Sequence, residues 1–182
     1  MLEYDDLIDP SLLPRKGKYL RYYLLGIVDG EGSFSISIKR QEDTRFGWVV
    51  DPVFKVTQHK RNRIVLELLK RVFNCGRIIE KSGQEDILEF VIDNRRHLIE
   101  KVIPFFTKYK PIIKRDEFLL FARVVKALEE GKHREAESLK ELITMLYNYS
   151  SDRRYTLEYI LNEISFRQDR LLRDHKPGTQ AG

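Results

Sequence analysis

The feature that most constrains the fold is an apolar helix that passes directly into a strand of alternating polarity. Residues 19–28 are apolar nearly all round, which predicts a helix buried on all sides. Gly30 and Gly32 are predicted to end this helix. Over residues 33–39, serine or lysine alternates with a large apolar residue, and this period of two predicts a half-buried strand. The chain must therefore place a core helix directly before a sheet strand that keeps one polar face.

The rest of the sequence alternates short strands with amphipathic helices. The predicted later strands are 51–58, 77–81 and 86–92, and the predicted later helices are 62–73, 95–106, 114–129, 134–148 and 153–173. The strand at 51–58 is predicted to be the hairpin partner of 33–39 across a polar turn, and 107–111 is predicted to be a loop. Hairpins predict an antiparallel sheet, so the fold class is α+β with extra C-terminal helices.

The charge of the chain is more basic than its net value of +5 suggests. Residues 1–14 contain four acids and no Lys or Arg, so the rest of the chain carries +9. Between Lys39 and Lys81 there are eleven Lys or Arg residues and five acids. A basic excess of this kind attracts polyanions, nucleic acid first among them.

Signals for membrane insertion and secretion are missing from this sequence. No stretch is apolar for long enough to span a bilayer, and the acidic N-terminus lacks the basic and apolar regions of a signal peptide. We therefore expect no membrane partner and an intracellular location, either the cytoplasm of a prokaryote or an organelle. Residues 1–18 are predicted to be a leader segment, and 175–182 a disordered tail.

The end of the first helix combines small residues with carboxylates. Gly26 and Gly30 are four residues apart, so they share one helical face and allow another backbone to approach closely. Asp29 and Glu31 lie at the helix C-terminus, where the negative end of the macrodipole disfavours acids. A divalent cation would compensate them, and Mg²⁺ takes one or two carboxylates with waters and phosphate oxygens. Two copies packed glycine face to glycine face would bring two Glu31 side chains to one symmetric site.

Residues 24–34 read LLGIVDGEGSF, and this string with the strand after it resembles the motif that names the LAGLIDADG homing endonucleases. Later stretches also resemble that family, namely VTQ at 56–58, RIIEK at 77–81, PFF at 104–106 and LLF at 119–121. The resemblance implies the family's LAGLIDADG homing-endonuclease-like fold, an antiparallel β-sheet saddle with packed helices. The resemblance covers roughly residues 20–130, and the endonuclease domain is predicted over residues 19–174.

The resemblance also implies an assembly and a metal site. Members of the family with one motif are homodimers, and this chain has one motif. The implied dimer interface contains Leu25, Gly26, Asp29 and Gly30. The implied metal ligands are the Glu31 carboxylate and the Gly30 backbone carbonyl, and the implied cofactor is Mg²⁺ or another divalent cation.

Further catalytic candidates come from the same resemblance. Gln58 matches a glutamine that orders active-site water. Two basic residues of the family's site are each matched by a pair of candidates, and the sequence does not choose within a pair. The pairs are Arg61 or Arg63, on either side of Asn62, and Lys110 or Lys114. These bases would stabilise the negative charge that develops on the phosphate, and the alternative for each is a solvated surface charge.

The polar faces of three predicted strands form the expected DNA-binding surface. Its residues are Ser35, Ser37, Lys39 and Gln41, then Lys55 and Thr57, then Arg77, Ile79 and Lys81. A two-stranded ribbon fits the major groove of B-DNA, where short hydroxyls and long bases contact base edges or phosphates. Few acids are expected beside these bases. Eight strand residues span about 26 Å, roughly eight base pairs, so a dimer would cover a site on the order of twenty base pairs.

These observations and the resemblance together predict an intron-encoded, site-specific endonuclease. The expected reaction is metal-dependent hydrolysis of phosphodiester bonds in double-stranded DNA at a long pseudo-palindromic target, and the resemblance implies short 3′ overhangs. The alternatives are an intron RNA maturase, which would add RNA as a partner, and a non-catalytic DNA-binding regulator with the same fold. A structural dimerisation module would not explain the basic strands. Glu31 favours the nuclease, because a pure binder does not need that carboxylate.

Overall fold

The computed structural model describes residues 17–150 and 154–174, so the predicted leader, apart from residues 17 and 18, and the predicted tail lie outside the described residues. The helices of this part are α1 Lys18–Glu31, α2 Arg63–Phe73, α3 Arg95–His97, α4 Ile103–Tyr109, α5 Arg115–Glu129, α6 Ala136–Tyr149 and α7 Leu157–Asp174. The strands are β1 Gly32–Arg40, β2 Trp48–His59, β3 Arg77–Lys81 and β4 Gln84–Ile92. Shorter segments are the 3₁₀ turns Lys60–Asn62 and Lys132–Arg134 and the π-helix Leu98–Val102.

The strands of the described chain form one sheet in the order β1-β2-β4-β3. β2 and β4 are antiparallel, with Thr57 opposite Glu89, and β3 and β4 are antiparallel, with Ile79 opposite the same Glu89. The register of β3 against β4 shifts between Glu80 and Lys81. The adjacency of β1 and β2 confirms the predicted strand partner, and an antiparallel sheet with helices confirms the α+β class.

The chain divides into two compact units, and the described part of the first comprises residues 17–35 and 53–122. The core of this unit is a cluster of phenylalanine rings, with neighbouring ring centroids 4.9 to 6.4 Å apart. The rings belong to Phe34, Phe54, Phe73, Phe90, Phe105, Phe106, Phe118 and Phe121. Well-oriented ring pairs add about 0.5–1.5 kcal/mol each beyond the burial of their area, so this cluster fixes the helices against the sheet.

The described part of the second unit comprises residues 36–52, 123–150 and 154–174. Its buried side chains come largely from the C-terminal helices, which confirms the prediction of additional helices there. They include Val124, Val125, Leu128, Leu139, Ile143, Leu146, Ile160 and Ile164. The single domain predicted over residues 19–174 stays a prediction.

The end of α1 lies later than predicted. The helix continues to Glu31, so Gly30 lies inside its last turn rather than ending it. Gly32 is the residue that ends the helix, and its N–H donates to the Val28 carbonyl. A Cβ at position 32 would lie 2.5 Å from that carbonyl oxygen, closer than real Cβ atoms come. Position 32 therefore requires glycine, and the chain turns there directly into β1.

The predicted burial of α1 on all sides is wrong for the described chain. Leu20, Leu24 and Val28 are buried, and they form one stripe of the helix. On the other side, Tyr19 is 83% exposed and Tyr23 is 45% exposed. The apolar composition of the helix thus reflects two faces, one packed on its own core and one left open.

Two predicted loops are also corrected. The helical region around α4 extends to Tyr109, so the predicted loop over 107–111 begins at Lys110, which has a φ of +33°. The sequence predicts a polar turn between β1 and β2, yet Phe46 and Trp48 at the end of that turn are buried. The Trp48 ring lies 5.1 Å from the Tyr155 ring, which explains its burial.

Over residues 17–150 and 154–174, no helix has the length and hydropathy to cross a bilayer.

Candidate active site and DNA-facing surface

Asp29, in the last turn of α1, is bonded to the segment that precedes α5. Its carboxylate accepts the Ile112 N–H at 2.9 Å and the Lys114 N–H at 3.2 Å. The Lys114 carbonyl accepts the Phe118 N–H, so Lys114 stands at the start of α5, where free N–H groups and the helix dipole favour a negative charge. For Asp29, these N–H groups supply the compensation that the sequence predicts from a cation. Asp29 is also predicted at the dimer interface, and that placement stays a prediction.

Glu31 is the last residue of α1, and its side chain is exposed. Among the described residues, no ion pair or hydrogen bond engages its carboxylate. Because the chain leaves the helix at Gly32, the Gly30 carbonyl lacks a helical N–H four residues later. A free carboxylate and a free carbonyl at one helix end are hard oxygen donors, the kind that Mg²⁺ prefers. The residues present therefore fit the implied metal, although no group of three or more His, Cys, Asp and Glu in the described chain is arranged to hold one.

The polar residues after β2 form a short network of their own. Gln58 Oε1 accepts a hydrogen bond from Asn62 Nδ2 at 3.1 Å. Arg63 pairs with Glu67 one turn further along α2, with 3.1 Å between Nη2 and Oε1. Arg61 is exposed, and its backbone N–H donates to His59 Nδ1 at 3.2 Å. Glu67 directs the Arg63 guanidinium along α2, whereas no described residue pairs with the Arg61 side chain, so Arg61 is the unpaired one of the two candidate arginines.

The two candidate lysines flank the segment that Asp29 holds. Lys110 is exposed and ends α4 with a positive φ. The Lys114 ammonium lies 3.3 Å from Glu117 Oε1, and its side chain is 23% exposed. Between them, Ile112 and Ile113 are 82% and 77% exposed. The structure thus presents both lysines on one segment with two exposed apolar side chains.

The strand register places four of the predicted DNA-binding residues on one face of the sheet. Lys55 and Arg77 lie on either side of Val91, and Thr57 and Ile79 lie on either side of Glu89. Residues directly opposite each other share a face, so these side chains form adjacent rows. Lys81 lies beyond the register shift in β3, and its predicted role stays a prediction.

The expectation that few acids lie beside these bases is wrong. Lys55 Nζ lies 3.7 Å from Glu89 Oε2, and the Arg77 guanidinium makes two hydrogen bonds to Asp93, at 2.7 and 2.6 Å. The Asp93 carboxylate raises the pKa of Arg77 above its usual range through these hydrogen bonds. The acids come from β4 and the residue after it, and cross-strand neighbours of this kind cannot be found without the register.

The predicted DNA-binding residues of β1 make side-chain hydrogen bonds or ion pairs within the strand and with β2. In the first unit, the Ser33 and Ser35 hydroxyls lie 2.6 Å apart. In the second unit, Ser37 Oγ donates to the Asp51 carbonyl at 3.4 Å, and Lys39 pairs with the Asp51 carboxylate. Asp51 therefore faces Lys39 just as Glu89 faces Lys55.

The open face of α1 carries the predicted dimer contacts. Gly26 and Gly30 are exposed, and a Cβ added at either would meet no atom within 4 Å. Leu25 is half-buried. The fold of the single chain thus gives no steric reason for glycine at 26 or 30, in contrast to Gly32.

The chain has an α+β fold in which a helix with an acidic end is followed directly by an antiparallel sheet. Similarity to known proteins gives the family. The chain belongs to the LAGLIDADG endonuclease family, whose model matches residues 24–125, more than half of the chain. It is similar to homing endonuclease I-ApeII of Aeropyrum pernix, with 38% identity over 152 residues that cover 80% of this chain and 90% of the relative. It is also similar to DNA endonuclease I-CeuI of Chlamydomonas moewusii, with 37% identity over 144 residues, 79% of this chain and 58% of I-CeuI.

Solved structures agree with this family. The archaeal intron-encoded homing endonuclease I-Vdi141I, solved in complex with DNA, has a TM-score of 0.77 and 38% identity, over 82% of this chain and 97% of that one. The group I intron-encoded homing endonuclease I-CeuI, also in complex with DNA, has a TM-score of 0.73 and 31% identity, over 81% and 77% of the two chains. The predicted LAGLIDADG fold is thereby confirmed.

Proposed function

We propose that this protein is a homing endonuclease that cuts double-stranded DNA at a specific site. The observation that carries the proposal is the motif end, where the Glu31 carboxylate is exposed and unpaired while the neighbouring Asp29 is held by N–H groups of its own chain. Asp29 thus serves the fold, whereas the carboxylate of Glu31, at the end of the family motif, is available for a ligand. Relatives named as DNA endonucleases, and neighbours solved with DNA, support the same activity.

We further propose that the active form is a homodimer. Gly26 and Gly30 leave an open strip on α1, and Tyr19 and Tyr23 extend the same helical face with exposed aromatic rings. Small residues allow two helices to approach closely, and buried tyrosines are frequent anchors at protein interfaces. Two copies packed on this strip would bring two Glu31 carboxylates near one two-fold axis.

The Glu31 carboxylate and the Gly30 carbonyl of each copy would hold the divalent metal, Mg²⁺ or a similar cation. When bound, the metal would activate water and neutralise charge on the scissile phosphate. Gln58 would orient that water, and its bond to Asn62 fixes the amide for this task. Arg61, rather than the paired Arg63, would stabilise the developing negative charge.

Lys110 and Lys114 both stay candidates for the second positive charge at the site. Asp29 holds the segment between them, so either lysine would act from a backbone fixed next to Glu31 along α1. Lys114 would first have to leave Glu117, whereas Lys110 is exposed. Separate alanine variants of the two lysines would distinguish them by loss of cleavage rate at unchanged binding.

When the sheet face binds DNA, its basic side chains would exchange their carboxylate partners for DNA phosphates. Lys55 and Arg77 are each paired with an acid in the free protein, so binding would replace a carboxylate by a phosphate rather than pair a free base. Thr57 and Ser35 would then contact base edges, since hydroxyls can both donate and accept, and Ser35 could do so while it keeps its bond to Ser33. Such exchange lowers the affinity for DNA in general and leaves more of the discrimination to base contacts.

The test is incubation of the protein with a DNA library and Mg²⁺, followed by mapping of the cut ends. We expect cuts at one family of related sequences with two-fold symmetry, because a homodimer presents the same face twice. Reactions with EDTA are the control for metal dependence. Random cutting would refute site specificity, symmetric cutting in EDTA would refute the metal, and no cutting with retained binding would favour a DNA-binding regulator.

A further inference from the structure

Helix α7 contacts the segment that joins β1 to β2, residues 41–47, here named the β1–β2 loop. Arg167 Nη1 donates to the Glu42 carbonyl at 3.1 Å, and Nη2 pairs with the Glu42 carboxylate. A Cβ at Gly47 would lie 2.6 Å from the guanidinium carbon of Arg167, so the guanidinium packs directly on the glycine backbone. Gly47 also has a φ of +76°, which favours glycine. One side chain therefore touches the loop near both of its ends.

A second set of contacts holds the strand residues on either side of the loop. Glu163 of α7 pairs with Arg40, the last residue of β1, at 3.1 Å. The same carboxylate accepts a hydrogen bond from Nε1 of Trp48, the first residue of β2, at 3.2 Å. Arg40 also donates to the Tyr159 hydroxyl at 3.2 Å. The side chains of Glu163 and Arg167 are 15% and 22% exposed, so the α7 partner of each pair is largely shielded from water, whereas Arg40 and Glu42 are more exposed.

The side chains that the loop presents are polar and exposed. Gln41, Asp43 and Arg45 are exposed, whereas the backbone is closed by bonds between Gln41 N and the Gly47 carbonyl at 2.8 Å and between Thr44 N and the Gln41 carbonyl at 3.1 Å. A surface loop held in one conformation can place such groups against a ligand, whereas a loose loop must be ordered on binding. The contacts from α7 hold this loop in advance.

Strand β1 connects the motif to the β1–β2 loop along the chain. The strand has nine residues, which corresponds to about 30 Å, or roughly nine base pairs of B-DNA. From a motif end at the cleavage site, a strand of this length would reach the outer part of a half-site. Helix α7 itself lies beyond residue 125, where the family match ends.

We propose that Arg167 is a positioning residue that fixes the β1–β2 loop and thereby sets base preference at the outer positions of each half-site. This inference rests on the proposed function. Arg167 acts through the loop and need not touch DNA itself. The C-terminal helices, which the family motif does not explain, thus gain a role in specificity rather than in cleavage.

The experiment compares wild type with Arg167→Ala, Glu42→Gln and the control Arg170→Ala on cognate DNA and on every single-base variant of the target. Arg170 is an exposed arginine on the same helix. For Arg167→Ala we expect discrimination at the outer positions to fall by about 5-fold or more, the lower range of a mismatch penalty, with central positions unchanged. Glu42→Gln keeps the carbonyl bond and should give a smaller loss at the same positions. Arg170→Ala should match wild type.

The outcomes separate this inference from the proposed function. If wild-type protein does not cut any symmetric site, the proposed function fails. If wild type cuts and Arg167→Ala keeps its outer preference, the positioning role of Arg167 is overturned. An equal loss at all positions would also overturn it, because that result indicates a general effect on stability. If Arg167→Ala does not fold, as judged by its thermal melting, the outer preference of Glu42→Gln decides by the same criteria.

Discussion

Replacement by alanine should change the stability of the single chain in opposite directions at Gly32 and Gly26. At Gly32, an alanine Cβ would meet the Val28 backbone at 2.5 Å, so Gly32→Ala should destabilise each chain by about 1–3 kcal/mol, as overpacking does. At Gly26, a Cβ would meet nothing within 4 Å of its own chain, and alanine in a helix interior gains about 1 kcal/mol over glycine. Gly26→Ala should therefore leave the single chain as stable as wild type or more so.

The dimer should respond in the other direction. If two copies of α1 pack on the glycine strip, a methyl group at position 26 enters a closely packed contact on both chains. Overpacking of about 1–3 kcal/mol would raise the dimer Kd roughly 5- to 150-fold, and Gly26→Leu should raise it further.

Sedimentation over a dilution series measures the dimer Kd, and urea unfolding at several protein concentrations separates chain stability from association. Gly32→Ala should lower the unfolding midpoint even where wild type is monomeric. An unchanged dimer Kd for both Gly26 variants would refute the packing of α1 on a second copy, and so would a wild-type protein that stays monomeric at micromolar concentration.

Further predictions follow from contacts that the structure adds. Asp29→Ala should destabilise the chain by about 1–3 kcal/mol in urea unfolding, since it removes a charged acceptor of backbone N–H groups, and it should reduce the cleavage rate more than DNA binding. Lys55→Ala should weaken binding to all sequences and flatten the salt slope by about one unit, whereas Glu89→Gln should tighten binding at low salt because it removes the competing acid. The hydrogen bond from Arg167 holds the pKa of Glu42 below its usual value, so the Arg167–Glu42 pair is present at neutral pH and is lost as the pH falls through that lowered pKa. Below about pH 4.5, the melting temperature of wild type should therefore fall more than the melting temperature of Glu42→Gln.

Local patterns were sufficient to predict the elements and their order. The period of two at 33–39 and the helical spacing at 62–73 correspond to β1 and α2, with ends shifted by a residue or two. The α+β class follows from the same patterns. The end of α1 could not be placed, because glycine is tolerated in a last helical turn. The close approach of Gly32 to the Val28 carbonyl, which leaves no room for a Cβ, is not visible in the local pattern.

The partners of the site residues could not be predicted, because they are set by tertiary contacts. Asp29 meets the Ile112 N–H from 83 positions away in sequence, and no local pattern signals that bond. Glu89 is brought to Lys55 by the register of β2 and β4, which sequence alone does not fix. The motif identifies Asp29 and Glu31 as the candidate acids. The structure shows that Asp29 accepts backbone N–H groups, whereas Glu31 is exposed.

The central claim is that Glu31 serves the cutting reaction and not the fold or the binding of DNA. Cleavage and binding should be measured on one target for wild type, Glu31→Gln and the control Glu129→Gln, an exposed acid at the end of α5. Loss of even an indirect partner of a metal ligand typically reduces activity about 10- to 100-fold, so loss of a ligand itself should reduce cleavage by more than about 100-fold. The account predicts this loss for Glu31→Gln with unchanged melting temperature and retained DNA binding, and wild-type behaviour for Glu129→Gln. Cleavage by Glu31→Gln at a rate near that of wild type would contradict it.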